Sequence, residues 1–187
     1  GLRRVAVAHD HANRVAAACL GSGLSRSAAF TGRSNLIAEG AGVLVVDRAR
    51  LDRLNAIDET LTVATLAPYD AVEARQMVAT IKVIPFAVAE SAVAAAEAVA
   101  RSGDGPIIRI APYRPRMTAL IQTRIEGMKE SVLDKTVAVT RDRLSALGAT
   151  LDGDARCPHA IAPVAEAIAR DRAAGLTDGV RAQHRPQ

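Results

Sequence analysis

Apolar positions fall into two alternating rhythms along the chain. Short apolar or β-branched runs read as strands, and stripes spaced by three and four residues read as helices between them. The clearest example is Ala119 to Ala149. Met117 to Thr123 is short and apolar, and Gln122-Thr123-Arg124 ends it with polar side chains. In Leu133, Val137, Thr140, Leu144 and Leu147 the spacing is 4, 3, 4 and 3, with Gly148 as the stop, which predicts a helix lying on a sheet. The loop between, Arg124 to Asp134, is then placed at the C-terminal end of a strand, where open α/β sheets bind ligands.

The same reading extends along the chain. Arg3 to Ala8 predicts a strand, and Asp10 caps a helix through Val15, Ala18 and Cys19. Gly21 to Ser27 reads as a flexible turn. Leu36 to Ala38 is a short apolar patch, and Val43 to Val46 a buried strand ending at Asp47, the N-cap of a helix over ARLDRLNAI. Thr60 to Leu66 alternates as a strand, broken by Pro68-Tyr69-Asp70. The run from Gln76 to Ala89 is the longest β-like stretch, with Pro85 marking an edge or a break and Lys82 conspicuous inside it. Ser91 caps the next helix, which Gly103 ends, and Pro106 to Ala111 is a strand. The two prolines of PYRPR, Pro112 and Pro115, then forbid regular structure. A boundary placed there gives domains 1–112 and 113–187. Beyond Gly148, Ala149 to Cys157 reads as a strand weakened by Asp152 and Asp154. Pro158 opens a last helix with Pro163 in its first turn, and the final residues from Gly175 read as a frayed tail.

Composition narrows the classes. With 187 residues and 49% hydrophobic content, the chain can bury a sizeable core. No run reaches the roughly eighteen apolar residues of a membrane span, and the N-terminus lacks a signal peptide's apolar core. A cytoplasmic protein without membrane contact is expected. The opening at glycine rather than methionine suggests an excised or processed piece. A net charge of +4 comes almost wholly from arginine, and aromatics make up only 2%. That is too few for a stacking platform on single strands, so nucleic acid is not an expected partner. An anionic small molecule suits the charge equally well.

Candidate chemistry is sparse. Cys19 and Cys157 belong to no metal-spaced set and read as free thiols or small core residues. His9 and His11 flank Asp10, but alternate positions at a helix start point apart, so no metal site is expected. Thr31, Arg33, Ser34 and Asn35 form either an anion-binding loop or a turn closed by its own side chains. Arg124, with Arg109, Arg114 and Arg116 around the proline hinge, either faces an anion or is solvated. His159 reads as a surface or capping residue.

Three segments in order, TGRSNLIAEGAGVLVVD with LNAID, then TVATL with QMVATIKVIPFAV, then IQTRIEGMKESVLDKTVAVTRDRLSALGA, resemble the middle portion of a family. It is the molybdopterin-binding family related to the enzymes that adenylylate molybdopterin and insert molybdate. The match covers most of residues 30 to 149 and is specific as a combination rather than in any one piece. It implies an α/β protein: a β-rich N-terminal and middle region, followed by the first part of a molybdopterin-binding-type α/β sandwich. It also implies that Thr123, Asp134, Lys135 and Thr136 lie near the pocket mouth, with Asp134-Lys135-Thr136 as the helix start. There lysine, threonine and helix-start amides would receive a pterin phosphate. Relatives continue into a further strand and a Gly-rich loop, where this sequence runs into LTDGVRAQHRPQ. Molybdopterin is the implied cofactor, with Mg2+ and ATP in intact relatives, and this chain alone is expected not to catalyse. The alternative is a non-enzymatic assembly module, a homo-oligomer or a sheet completed by a partner chain.

Overall fold

A computed structural model of the chain describes residues 8–84, 88–175 and 178–182. The protein is mixed α/β and divides into two compact units, residues 1–112 and 113–187.

The first unit begins with α1 (Ala8–Cys19), which presents the small side chains Ala12, Val15, Ala16 and Cys19 as a fully buried stripe. Of the strand expected at Arg3 to Ala8, all but Ala8 lies outside the described residues, and Ala8 itself opens α1. Next come β1 (Leu24–Arg26), β2 (Arg33–Ala38), β3 (Gly42–Val46), α2 (Arg48–Asn55), β4 (Leu61–Thr65), β5 (Ala71–Val72), β6 (Met77–Val83), α3 (Glu90–Arg101) and β7 (Ile108–Pro112). Two antiparallel sheets result, one ordered β1-β2-β6-β4 and the other β5-β3-β7. Alternation selects the buried face of each. In β2, Ser34, Leu36 and Ala38 turn inward while Arg33 is exposed; in β6, Ile81 and Val83 turn inward while Lys82 does not. Leu36, Ala38, Ile81 and Val83 join Leu44, Leu54, Val93 and Ile108 in one continuous core.

Several local expectations change. Gly21 to Ser27 holds β1 rather than a flexible turn, and the patch Leu36 to Ala38 is the end of the longer β2. The long β-like run stops at Val83. Ser91 does not cap α3: the helix starts one residue earlier, after Ala89, with no side-chain cap. Asp10 sits inside the first turn of α1 rather than before it. Asp47 caps α2 as expected, its carboxylate accepting from the Arg50 amide at 3.0 Å.

The second unit comprises β8 (Met117–Arg124), α4 (Glu130–Ala146), β9 (Thr150–Pro158), α5 (Ile161–Ala173) and β10 (Asp178–Ala182). Its three strands are parallel and ordered β10-β8-β9. The residues expected to be a frayed tail therefore include a strand, with Asp178 to Ala182 registered against Thr118 to Gln122. On one face of β8 and β9, Ile121 and Cys157 pack with Ala167 of α5; Leu133 and Val137 are the buried residues of α4. Gly148, at φ 71°, follows the C-cap of α4 in the left-handed conformation that glycine adopts without strain.

Candidate functional site

The C-terminal ends of β8 and β9 carry most of the unit's polar chemistry. Register fixes which side chains meet: Gln122 stands opposite Arg156 and Thr123 opposite Cys157. Direct partners share a face, so the strand ends present two different sets. On one face Arg156 reaches Glu130 at 2.6 Å, Asp134 at 2.7 Å and Asp154 at 3.3 Å. Arg124 pairs with the same Glu130 at 2.8 Å, and Gln122 donates to Asp154 at 3.1 Å. The Arg124 guanidinium, and after it that of Arg156, holds the Glu130 carboxyl below the usual carboxylate range. The carboxylates of Asp134 and Glu130 raise Arg156 further above its already high value. Three carboxylates thus surround two guanidinium groups, and the donors already have partners.

The other set is formed by Thr123 and His159. The His159 amide donates to the Arg124 carbonyl at 3.1 Å, which prolongs the β8–β9 pairing by one residue. This sets His159 Nδ1 2.9 Å from Thr123 Oγ1. Both are close to the start of α5, whose N-cap Ala160 supplies no side-chain hydrogen bond and whose first turn holds no acidic residue. First-turn amides there are left for a ligand or water, at the positive end of the helix dipole. Ile161 beside them is 92% exposed.

The expected pocket residues are therefore dispersed. The expected loop from Arg124 to Asp134 is cut short, because α4 begins at Glu130. Asp134, Lys135 and Thr136 lie in the second turn of the helix rather than at its start. Asp134 is bound to Arg156, and the Thr136 hydroxyl donates to the Val132 carbonyl at 2.9 Å. Lys135 is exposed and lies about 200° round the helix from buried Leu133, since each residue turns about 100°. Only Thr123 remains at the strand ends with an unpaired helix start beside it.

Thr31, Arg33 and Asn35 belong to the other unit, apart from Arg124 in the sequence-based grouping. They form a hairpin. Phe30 and Arg33 exchange both backbone hydrogen bonds, at 2.9 and 3.0 Å, around a two-residue turn with Thr31 at φ 49° and Gly32 at φ 72°. A Cβ on Gly32 would come within 2.6 Å of the Val83 carbonyl oxygen. Backbone bonds, rather than the Thr31 or Ser34 side chains, close this turn.

The cysteines are free and buried, and burial pushes the Cys19 thiol up to about 12, so it packs as an apolar group. His11 is buried 3.5 Å from Glu90. Among the described residues, no group of three or more His, Cys, Asp or Glu is placed to hold a metal, and no helix is long and apolar enough to cross a membrane. No family model, curated protein or solved structure matches the chain.

Arg156, Glu130 and His159 were not singled out from the sequence as site residues. A signal existed in Asp152, Asp154 and Arg156, polar at every second position and so on one face of a strand.

Proposed function

We propose that the chain is a molybdopterin-binding protein of molybdenum cofactor biosynthesis. The reading rests on the sequence resemblance, and one observation carries it to particular atoms. Thr123 Oγ1 and His159 Nδ1 lie 2.9 Å apart at the C-terminal ends of parallel strands, beside the uncapped start of α5. The pterin phosphate would accept from the Thr123 hydroxyl, from His159 and from the first amides of α5, while exposed Ile161 offers apolar surface to the ring. This moves the phosphate from the Asp134-Lys135-Thr136 turn to the opposite face of the sheet. The α4 face suits it less, because Glu130, Asp134 and Asp154 would repel it.

Titration of the chain with molybdopterin or its adenylylated form tests the proposal, with ATP and Mg2+ added in separate arms. Thr123→Val and His159→Gln should each weaken binding about tenfold, the loss of a charge-assisted hydrogen bond or two. Lys135→Ala should leave it unchanged. A larger loss in Lys135→Ala than in the other two would return the pocket to α4, and no binding at high micromolar concentration would end the reading.

The assembly alternative draws on the short parallel sheet, whose outer strands β9 and β10 each have one neighbour among the described residues. Light scattering decides it: a strict monomer across the micromolar range argues against it.

A further inference from the structure

A second ligand surface lies in the first unit, on the outward face of the β1-β2-β6-β4 sheet. Four residues form a straight row across it. Phe30 faces Arg33 across the hairpin, Arg33 is registered with Lys82, and Lys82 with Thr62. Direct cross-strand partners point to the same side, so the four side chains share one face, spanning about 14 Å at about 4.8 Å per strand. It is the outward face, because the alternate residues Ser34, Ile81, Val83, Leu61 and Val63 are all buried.

The chemistry of the row is unusual for a solvated sheet. Arg33 and Lys82 are like charges placed directly opposite each other, an arrangement that destabilises a sheet. Among the described residues no carboxylate pairs with either. Phe30 is 79% exposed at the end of the row. In the adjoining row Asn35 Oδ1 and Thr80 Oγ1, on registered residues, are shielded from water and have no hydrogen-bond partner. The hairpin holding Phe30 is itself strained, since Thr31 is a β-branched residue with positive φ. Strain of this kind is retained where the surroundings fix it, commonly at ligand clamps.

We propose that this row binds a phosphorylated heteroaromatic small molecule, its ring on Phe30 and its phosphates between Arg33 and Lys82. A phosphate there turns a repulsive pair into two charge-assisted contacts. The ring lies one to two strand spacings away on an exposed aromatic. A nucleoside triphosphate and a pterin phosphate share this chemistry. The site does not depend on the Thr123 and His159 reading, because all of its residues belong to the first unit.

Calorimetric titration of the full chain tests it with ATP, inorganic triphosphate, adenosine, a 6-alkylpterin phosphate and a short single-stranded oligonucleotide. ATP or the pterin phosphate should bind, and whichever binds more tightly identifies the source. Inorganic triphosphate and adenosine should each bind at least tenfold more weakly. Arg33→Gln and Lys82→Gln should each reduce affinity about tenfold. Phe30→Ala should weaken ATP but not inorganic triphosphate. Because Lys82→Gln relieves a like-charge pair, its thermal midpoint should be unchanged or higher, which separates lost binding from lost folding. The proposal is overturned by ATP and pterin phosphate both failing to bind at millimolar concentration. It is also overturned by binding that survives Arg33→Gln and Lys82→Gln in a chain that also carries Thr123→Val and His159→Gln, or by an oligonucleotide that binds more tightly than either small molecule.

Discussion

Arg50 in the first unit and Arg156 in the second are both gathered into polar clusters, but the clusters differ in kind. Arg50 is buried, with its Nε 2.8 Å from Asp47 and its terminal nitrogens donating to the carbonyls of Ala100 at 3.2 Å and Pro106 at 3.3 Å. One carboxylate and two carbonyls engage all three of its nitrogens, and its burial keeps a ligand from the rest. A Cβ at Gly103 would come within 2.7 Å of the same guanidinium, so the chain after α3 is moulded round it. Arg156 sits at the strand ends among three carboxylates, each more exposed than the arginine itself. A closed, charge-matched cluster fastens a fold, whereas an open cluster with excess carboxylate leaves a surface that sorts ligands by sign.

The cores differ in the same sense. The first unit's core is continuous through its helices and both sheets, while Ile121, Cys157 and Ala167 form a small cluster in the second. Ile81 is fully buried and should show the larger effect: Ile81→Ala is expected to destabilise by about 4 kcal/mol and Ile121→Ala by about 2 kcal/mol in urea titrations. Equal losses would break the contrast. Arg50→Ala falls between them, at about 2 to 3 kcal/mol, because it leaves two carbonyls without their donor and Asp47 with the residue 50 amide alone.

Much of this contrast was readable from residue order, though not all of it. The cap at Asp47, the strand at Val43 to Val46 and the stop at Gly148 follow from local chemistry: a side-chain acceptor, an apolar run and a residue free to take positive φ. The start of α4 was misplaced because its first turn, Glu130 to Val132, lies wholly on the exposed side and adds nothing to the apolar stripe that begins at Leu133. Strand β10 is the converse case. Asp-Gly-Val-Arg-Ala has no alternation, and it is a strand by pairing with β8, more than fifty residues earlier in the chain. The site suffered most, since Thr123 meets His159 and Gln122 faces Arg156 only through the β8–β9 register. Spacing within either strand says nothing about that register.

Acid should loosen both units at their ion pairs. Glu97 is held below the usual carboxylate range by Arg14 first, and Asp47 by the Arg50 amide and then its guanidinium. A depressed folded value means that the stabilisation is fully present above the unfolded carboxylate value, about 4. It is then lost as pH falls through the folded value. Protection from hydrogen exchange, taken relative to each amide's intrinsic rate at that pH, should therefore fall between pH 5 and 3 at α1 and α3, which Arg14 links through Glu90 and Glu97. Glu97→Gln should flatten that dependence. In the second unit the same pH range should free the start of α4 as Glu130 is protonated, and Arg156→Gln should produce that loosening at neutral pH. If α4 exchange in Arg156→Gln matches the wild type, the open cluster has no structural part and serves the surface alone.

The smallest effect sharpens the comparison at the hairpin. Thr31 occupies the left-handed region at φ 49°, where a β-branched side chain crowds its own backbone, and the turn type requires positive φ at this position. Were the hairpin merely a connection, glycine or asparagine would serve it better. Thr31→Gly removes the crowding, worth about 1 kcal/mol, but it also gives the unfolded chain more freedom, which takes back part of the gain. A net rise of a few tenths of a kcal/mol in stability is expected from thermal or urea unfolding, with ATP affinity falling as the Phe30 end of the row becomes less fixed. A gain in stability with unchanged affinity would make the strain a local accident. A loss of stability would mean that the threonine side chain holds the turn by a contact stronger than its steric cost.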